Sequence, residues 1–472
     1  MNCFGCEILA QSSLIWASGL AGGIFLISIT GSLPAAMAGR EPVMRVLLIE
    51  APELSLRAAG SDPLKLRGVG SDQLSVRTMT VSLQSGQLLL EMVGGAHRQV
   101  RVAVNKELRV SSDDPRGIWL GRHRYQGELR LRAKGRAVQV INHLGVEKYL
   151  ASVVGSEMPA KWPLAALQAQ AVAARTYALR QIGKPGGFDV KATVASQVYL
   201  GLESETASTR KAVNSTRSLV LVHGRRLIDA VFHSSSGGAT EASGAVWKYQ
   251  QPYLVSVPAH DQHSPVHRWE KGFDRKQLAQ AFVEIGGVRR IDAVDTSSTG
   301  RVRQAKVHGP SGALLLSGKE LRRRLGLKST LIRFEMLGAN AAASRSAASR
   351  DVDLSSNQHS PEQSFPTIKA YRHDSATGAP MPVAASLSPQ PPLRLRSVVA
   401  VKPAQPVLLI HGQGHGHGVG MSQWGAQGLA KRGADFRQIL RHYYRGAKII
   451  PYRQLQDSSM VQQLPVAPIW IG

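Results

Sequence analysis

Near Gly145 the spacing of the apolar residues changes from the period of a β-strand to that of an α-helix. Residues 43–140 contain short apolar runs, such as LSVRTMTVSL and GELRLRA, that partly alternate with polar residues and are separated by Gly, Ser and Asp. Such alternation indicates strands with one buried face. After Gly145 the apolar residues recur at helical intervals, at Val146, Tyr149, Leu150, Val153 and Val154. The chain is therefore predicted to be an α+β protein with mixed sheets.

A second helix is predicted to begin at Pro163, since proline suits the first turn of a helix, and to run to Gly183. Six alanines lie between Ala165 and Ala174, and small side chains let neighbouring elements approach closely. This helix is therefore expected to be buried at the centre of the fold. Gly155 is predicted to end the first helix.

The N-terminal segment contains no charged residue from Ile8 to Ala38 and includes the apolar run LIWASGLAGGIFLISITG. Ala36-Met37-Ala38 fits an A-x-A cleavage pattern, although the residues before the apolar run contain Glu7 and no Lys or Arg. The run is also long enough to remain as an N-terminal membrane anchor. The protein is therefore expected to be exported, and to be periplasmic or associated with the cell wall.

Charge and cysteine content limit the partners. The net charge of +26 attracts polyanions, whether nucleic acid, an anionic membrane face or an acidic wall polymer. No nucleic-acid-binding motif is present, and the export signal also argues against nucleic acid. Cys3 and Cys6 are the only cysteines and precede the apolar run, so the mature chain is expected to have neither disulfides nor thiolate metal ligands.

Glu157 lies in the segment SVVGSEMPAKWP, between the two predicted helices. A carboxyl group beside Met158 and Trp162 can be partly desolvated, and desolvation suits it to donate a proton near neutral pH. The alternative is a surface glutamate in a turn. Arg175, in the second helix, could orient Glu157 or bind an anionic group, or it could extend to solvent.

The segment FHSSSGGATEAS places His233 and Ser236 before a Gly-Gly turn. It does not match the G-x-S-x-G motif of serine hydrolases. A polar turn at a strand end is the simpler interpretation, and a role in binding substrate remains open.

Glycines alternate with histidines in GQGHGHGVGMSQWGAQG, residues 412–428. The segment matches neither a dinucleotide-binding nor a phosphate-binding loop. His415 and His417 could form a metal pair, but no third ligand is evident nearby. Glycines also let a backbone approach a ligand closely, with His417, Ser422 and Gln423 as hydrogen-bonding groups. That pattern favours a groove for a polar polymer or sugar.

Three further histidines, His260, His263 and His267, lie in PAHDQHSPVHRW. Their spacing could bind a metal, but a solvated or packed loop is the commoner outcome.

Several motifs together resemble the SpoIID/LytB family. They are, in chain order, YLASVVGSEMPAKWPLAALQAQAVAARTYAL, SQVYLG, FHSSSGGAT, LGLKST, GHGVGMSQWGAQGLA and ILRHYYRGAKI. The resemblance covers roughly residues 110–340 and 407–450. It implies a peptidoglycan lytic transglycosylase that cleaves MurNAc–GlcNAc β-1,4 bonds, preferably in glycan strands without stem peptides.

The resemblance also implies roles for individual residues. Glu157 matches the family's catalytic glutamate, and Arg175 matches its helix arginine. His417, Ser422 and Gln423 match the last family motif. Some members bind zinc with cysteines near the S-S-G-G segment; this chain has none there, so neither a metal nor another cofactor is expected.

The alternative implied by the LytB side of the family is a non-catalytic wall-binding protein that stimulates an N-acetylmuramoyl-L-alanine amidase. The expected partners are accordingly peptidoglycan glycan strands and, as a further candidate, a cell-wall amidase.

Composition and resemblance together divide the chain into six segments. The predicted segments are 1–38, a signal peptide or membrane anchor; 39–110, a β-rich region; 111–340, the SpoIID-like core; 341–405, a disordered insertion rich in Ala, Ser and Pro; 406–456, the C-terminal part of the core; and 457–472, a tail.

Overall fold

A computed structural model describes residues 41–69, 74–93, 98–102, 106–337 and 407–455. The predicted signal peptide or anchor, the predicted insertion and the predicted tail lie outside these residues. The fold is α+β, as predicted. None of the helices in the described ranges is long and apolar enough to cross a membrane.

The described residues between Val43 and Gly145 are mostly in strands, which confirms the β structure predicted for this region. The strands are β1 (Val43–Ala51), β2 (Glu53–Ala58), β3 (Leu64–Arg67), β4 (Leu74–Val76), β5 (Thr78–Gln84), β6 (Gln87–Val93), β7 (Arg98–Val102), β8 (Leu108–Ser111), β9 (Ile118–Leu120), β10 (His123–Tyr125), β11 (Glu128–Lys134) and β12 (Ala137–Gly145).

Two long helices follow β12. Helix α1 (Val146–Glu157) begins directly after Gly145, and helix α2 (Leu164–Gln181) begins after Pro163. Helix α2 is buried along most of its length, as predicted. Gly155 does not end α1: the helix continues to Glu157, and Gly155 instead lies so close to the Ser204 carbonyl that a Cβ there would be 1.8 Å from its oxygen. Glu157 is therefore the last residue of a helix and not part of a free turn.

The remaining elements alternate between short strands and helices. They are β13 (Val190–Lys191), α3 (Ala207–Ser215), β14 (Leu219–His223), β15 (Arg226–Leu227), β16 (Phe232–His233), α4 (Ser243–Val246), β17 (Arg268–Phe273), α5 (Arg275–Ala281), β18 (Arg290–Thr296), β19 (Val302–Gly309), β20 (Gly312–Ser317), α6 (Gly318–Leu325), β21 (Leu331–Met336), β22 (Leu408–Gln413), β23 (Met421–Ser422), α7 (Gln423–Lys431), α8 (Phe436–Tyr443) and β24 (Lys448–Pro451). Short 3-10 helices cover Gly201–Ser204, Val283–Ile285 and Tyr452–Leu455.

Two larger sheets form the first half of the fold. Their strand orders are β13-β1-β12-β11-β8-β3-β4 and β10-β9-β2-β5-β6-β7. Alternate residues of strands such as β2 and β11 are buried, and the buried faces of both sheets share one hydrophobic cluster with α1 and α2. This arrangement follows from the period-two pattern of the sequence.

A second hydrophobic cluster lies between residues 269 and 332 and includes Leu408 and Ile410. Its sheets have the orders β17-β22-β21 and β18-β19-β20. Strand β22 is central in its sheet although it is remote in sequence, and the chain then leaves it through residues 414–420 to β23. Strand β23 pairs in parallel with β16, so the glycine-histidine segment and the FHSSSGG segment lie side by side.

Candidate active site

Glu157 ends helix α1 with its carboxyl group held from two sides. The backbone N–H of Val198 donates a hydrogen bond to Oε1 at 3.2 Å, and Nε2 of Gln423 donates one to Oε2 at 3.1 Å. Within the described residues no Lys, Arg or His forms an ion pair with Glu157. The carboxyl group is therefore oriented by neutral donors, which fix its position without supplying a positive charge.

The pKa of Glu157 lies above the usual value of a glutamate. Burial is the main cause, and the hydrogen bonds from Val198 and Gln423 oppose it without cancelling it. A helix C-terminus also carries partial negative charge, which disfavours an ionised carboxylate there. Both effects keep the protonated form available nearer to neutral pH, as a general acid requires.

The SQVYLG segment places the Val198 amide. Gln197 accepts a hydrogen bond from the Tyr149 hydroxyl at 3.0 Å and donates one to the Ala174 carbonyl at 3.3 Å. The Tyr199 hydroxyl donates to Asn142 Oδ1 at 2.8 Å. These buried contacts on both sides of Val198 anchor the loop to α1, α2 and β12. The sequence offered no sign that the functional group here is a backbone amide.

Gln423 reaches Glu157 from the first turn of helix α7. Ser422 caps this helix, because its hydroxyl accepts a hydrogen bond from the Gly425 N–H at 3.2 Å. The Ser422 side chain is itself fully buried. Gln423 therefore touches the carboxyl group, and Ser422 supports the helix that presents it.

Asp261 organises the loop beside this helix. Its carboxylate is fully buried. Its donors are the Ser235 hydroxyl at 2.7 Å, the backbone N–H groups of Ser236 at 2.5 Å, Gly237 at 3.1 Å and Gly238 at 3.2 Å, and the Ser422 hydroxyl at 3.3 Å. Burial raises the pKa of Asp261, but these hydrogen bonds outweigh it and the pKa is below the usual value. Asp261 thereby ties the FHSSSGG segment to the cap of α7.

His233 and Ser236 form a buried hydrogen-bonded pair. His233 Nδ1 is 3.1 Å from the Val419 carbonyl oxygen, which can only accept, so Nδ1 carries the proton and Nε2 accepts from the Ser236 hydroxyl at 2.7 Å. Burial holds the pKa of His233 well below its usual value, so the ring is neutral. Ser236 is fully buried. The pair therefore supports the loop and does not present a nucleophile to solvent.

His417 packs between aromatic rings. Its ring centroid is 5.4 Å from that of His233 and 5.4 Å from that of Trp247, and its Nδ1 accepts from the Val419 N–H at 3.1 Å. Burial and the charges of Arg322 and Arg301 lower the pKa of His417 to about 4. His417 is therefore a neutral packing residue at neutral pH, whereas His415 is exposed.

The glycines of this segment serve internal packing. A Cβ at Gly416 would lie 2.7 Å from the Cβ of His233, and one at Gly418 would lie 2.5 Å from the Arg301 guanidinium carbon. At Gly416 and Gly418 the backbone does approach other atoms closely, as predicted. These atoms belong to the protein itself and not to a ligand in an open groove.

The histidines near Asp261 do not converge. His263 Nε2 is 2.5 Å from Gln427 Oε1, His260 packs against the ring of His442, and His267 faces Asp261. Within the described ranges, no group of three or more His, Cys, Asp or Glu side chains could hold a metal ion.

Arg175 does not orient Glu157, nor does it extend to solvent. Its guanidinium is fully buried in α2 and forms two hydrogen bonds with Glu147, Nε to Oε1 at 3.0 Å and Nη2 to Oε2 at 2.7 Å. It also donates to the carbonyls of Leu219 and Val213. Because every part of the group is engaged inside the fold, Arg175 holds α1 and α2 together.

Comparison with known proteins agrees with this arrangement of motifs. The family model described as Stage II sporulation protein, SpoIID, matches residues 134–223. Stage II sporulation protein D of Bacillus subtilis is 27% identical over 333 residues, which cover 66% of this chain and 76% of that protein. Residues 134–223 are thus similar to the SpoIID family, and the similarity to this relative extends over most of the described chain.

Two other relatives are similar over much of the chain. An uncharacterized protein of Brachyspira hyodysenteriae is 29% identical over 344 residues, 72% of this chain and 76% of the relative. A Bacillus subtilis protein named Amidase enhancer is 31% identical over 314 residues, 64% of this chain but only 40% of that protein.

The SpoIID model covers only part of the site. Its matched segment contains Glu157, Arg175 and Val198, whereas Gln423 and Asp261 lie outside it. The carboxyl group and its amide donor thus come from the matched segment, and the side-chain donor comes from a motif 266 residues later.

Proposed function

We propose that this protein is a peptidoglycan lytic transglycosylase with Glu157 as its general acid and base. The observation that carries the proposal is the position of the Glu157 carboxyl group, which has a raised pKa and is oriented by Val198 and Gln423. The similarity to the SpoIID family and the match of Glu157 to the family's catalytic glutamate support the same assignment.

The reaction needs one carboxyl group in two successive roles. Protonated Glu157 first donates its proton to the oxygen of the MurNAc–GlcNAc β-1,4 bond, and the GlcNAc leaves as an alcohol. The resulting Glu157 carboxylate then removes the proton of the muramoyl C6 hydroxyl as that oxygen attacks C1. The products are a 1,6-anhydro-muramoyl end and a free GlcNAc hydroxyl, and the enzyme regains its proton.

The surroundings of Glu157 suit this sequence of steps. Most glycosidases need a second carboxylate to activate water or to form a covalent adduct, and the internal C6 hydroxyl removes that need. Both hydrogen bonds to Glu157 come from neutral groups, so the carboxylate is stabilised after proton transfer without being ionised beforehand. Trp424 is partly exposed and packs on the buried Trp162 ring, with centroids 4.8 Å apart, so it provides apolar surface next to Gln423 against which a sugar ring can pack.

The proposed substrate is a glycan strand without stem peptides, outside the cytoplasmic membrane. The N-terminal segment supports export as a signal peptide or anchor, and the net charge of +26 favours an acidic polymer.

Replacement of the carboxyl group tests the proposal. Glu157→Gln is expected to lower the rate of formation of anhydro-muramoyl ends from peptide-free strands by roughly 10²–10⁴-fold, the usual contribution of a general acid or base. Glu205→Gln is the matched control, since burial also raises the pKa of Glu205 but its salt bridge is with Arg210, at 3.6 Å. Equal rates for wild type and Glu157→Gln would refute the assignment.

A second candidate function is stimulation of a cell-wall amidase without glycan cleavage. The observation that favours it is the 31% identity to the protein named Amidase enhancer. Adding the Glu157→Gln protein to an N-acetylmuramoyl-L-alanine amidase acting on peptidoglycan separates the two functions. The second function would be favoured if the Glu157→Gln protein stimulated the amidase and the wild-type protein formed no anhydro ends.

A further inference from the structure

Three cationic residues, Arg301, Arg322 and Lys328, lie near the 414–420 segment, and we refer to them as the cationic cluster. The charges of Arg322 and Lys328 help to lower the pKa of His415, and those of Arg322 and Arg301 help to lower the pKa of His417. The Gly416 N–H donates a hydrogen bond to the Lys328 carbonyl at 2.9 Å. Gly418 packs directly on the Arg301 guanidinium, where a Cβ would be 2.5 Å from its central carbon. The cluster is therefore attached to the same segment that leads into Gln423.

Arg301 lies beneath this segment with much of its hydrogen-bonding capacity unused. It is 2% exposed, and only Nη2 forms a hydrogen bond, to the Ser236 carbonyl at 2.7 Å. Nε and Nη1 are buried without a hydrogen-bond partner, and Nε forms a long ion pair with Glu241 Oε2 at 3.9 Å, too far for a hydrogen bond. Burial lowers the pKa of Arg301 to about 10, so it stays cationic at neutral pH. Glu241 offsets part of this charge, but Arg301 still helps to lower the pKa of His417 and so contributes positive potential to the 414–420 segment.

Arg322 and Lys328 complete the cluster without acidic partners. Arg322 donates from Nε to the Leu327 carbonyl at 3.1 Å, and Lys328 is exposed. In the described part of the chain neither forms an ion pair with a carboxylate. The next two arginines of helix α6 differ, because Arg323 and Arg324 both pair with Glu320, at 2.6 and 2.9 Å.

The two carboxylates that act on Arg301, Glu241 and Asp261, do not pair with Arg322 or Lys328. Glu241 is fully buried and accepts hydrogen bonds from the hydroxyls of Ser297 and Thr299. Asp261 is fully buried among its own five donors. The adjacent His417 is neutral and contributes no charge. Arg322 and Lys328 therefore lie near the 414–420 segment as cations that no described carboxylate pairs with.

We propose that the cationic cluster binds the lactyl carboxylate of a muramoyl residue in the glycan strand. Arg322 and Lys328 contact the carboxylate, and Arg301 adds positive potential from below the 414–420 segment. A guanidinium suits a carboxylate because it can donate two parallel hydrogen bonds. The same segment continues into Gln423, so this muramoyl residue lies along the strand from the one at Glu157.

This inference rests on the proposed function for the identity of its ligand, and it distinguishes muramoyl residues with a free lactyl carboxylate from those that carry a stem peptide. A stem peptide converts the lactyl carboxylate into an amide, which removes the charge. The cluster therefore favours muramoyl residues that carry no peptide. The residues responsible for this preference do not contact Glu157.

Binding is best measured in a Glu157→Gln background, where the strand stays intact. Three strands of equal length are compared: one with free lactyl carboxylates, one with these groups reduced to alcohols, and one with stem peptides. The free-carboxylate strand is expected to bind about tenfold more tightly than the reduced strand, from charged hydrogen bonds at one partly desolvated site. Arg322→Gln and Lys328→Gln are each expected to remove most of this ratio.

Arg323→Gln is the matched control, because it removes one arginine from the same helix and leaves the cluster intact. Equal binding of the free and reduced strands by the parent protein would overturn the proposal. So would a loss of the ratio in Arg323→Gln as large as that in Arg322→Gln, or tighter binding of the peptide-bearing strand than of the free-carboxylate strand.

The outcome is separable from that of the proposed function. If wild-type protein forms no anhydro ends while the binding ratio and its dependence on Arg322 persist, the glycosidic chemistry is refuted and the carboxylate site stands. If wild type forms anhydro ends but all variants bind the free and reduced strands equally, the carboxylate site is refuted and the chemistry stands.

Discussion

The hydrogen bond from Gln423 to Glu157 offers a direct test of how the carboxyl group is tuned. Gln423→Ala removes the Nε2 donor that lies 3.1 Å from Oε2 and leaves the Val198 N–H in place. The hydrogen bond from Gln423 lowers the pKa of Glu157, against the larger effect of burial. Its removal is therefore expected to raise that pKa further.

The size of the shift follows from the energy of a hydrogen bond to a charged group. Such a bond contributes about 1.5–3 kcal/mol, and one pKa unit corresponds to about 1.36 kcal/mol. Complete loss would raise the pKa by about one to two units. Water entering the space left by the side chain replaces part of the interaction, so we expect about one unit.

The assay is the pH dependence of anhydro-end formation from peptide-free strands. The general acid must be protonated, so activity falls as the pH rises through the pKa of Glu157. Raising that pKa moves the alkaline limb of the profile to higher pH by about one unit. The maximal rate is expected to fall as well, because the carboxyl group loses one of the two contacts that orient it.

Gln427→Ala is the matched control. Gln427 lies one turn further along α7 and is 5% exposed against 7% for Gln423, but it contacts His263 and not Glu157. The alkaline limb should stay in place in this variant. A limb that stays in place or moves to lower pH in Gln423→Ala, or that moves equally in both variants, would refute the reasoning.

Three further predictions concern stability and are measured by urea unfolding. Arg175→Met leaves Glu147 buried without its main partner and should lower the free energy of unfolding by about 3–5 kcal/mol; a loss below 1 kcal/mol would contradict the buried pair. Asp261→Asn replaces a carboxylate that accepts five hydrogen bonds, and a loss of about 1–3 kcal/mol is expected. Gly416→Ala should cost about 1–3 kcal/mol, because φ is +114° and the new Cβ would meet His233; unchanged stability would show that the segment can shift.

Local patterns in the sequence predicted the elements better than their contacts. Alternation before Gly145 and helical spacing after it correctly indicated the strands and the first two helices, because these periods depend on neighbouring residues alone. The end of α1 was missed, since Gly155 is a helix residue required by close packing against Ser204 and not by a turn. In the sequence, a glycine that ends a helix cannot be distinguished from a glycine inside a helix at a close packing contact.

The site depended on pairings that periodicity does not encode. Glu157 and Gln423 meet across 266 residues, and motif resemblance identified both without showing that they touch. The same resemblance suggested Arg175 as a site residue, whereas its partner is Glu147 inside the core. The sequence does not predict the role of Asp261. The three histidines near it suggest a metal site, and the neighbouring residues of a polar loop do not indicate that a carboxylate there is buried.

The source of the oxygen at the new glycan end tests the central claim most directly. Peptide-free strands are digested by the wild-type protein in water enriched in heavy oxygen, and the new muramoyl ends are analysed by mass spectrometry. A lytic transglycosylase closes the ring with the substrate's own C6 oxygen, so we expect unlabelled 1,6-anhydro ends that are absent with Glu157→Gln. Labelled reducing ends, or strands left uncut by the wild-type protein, would contradict it.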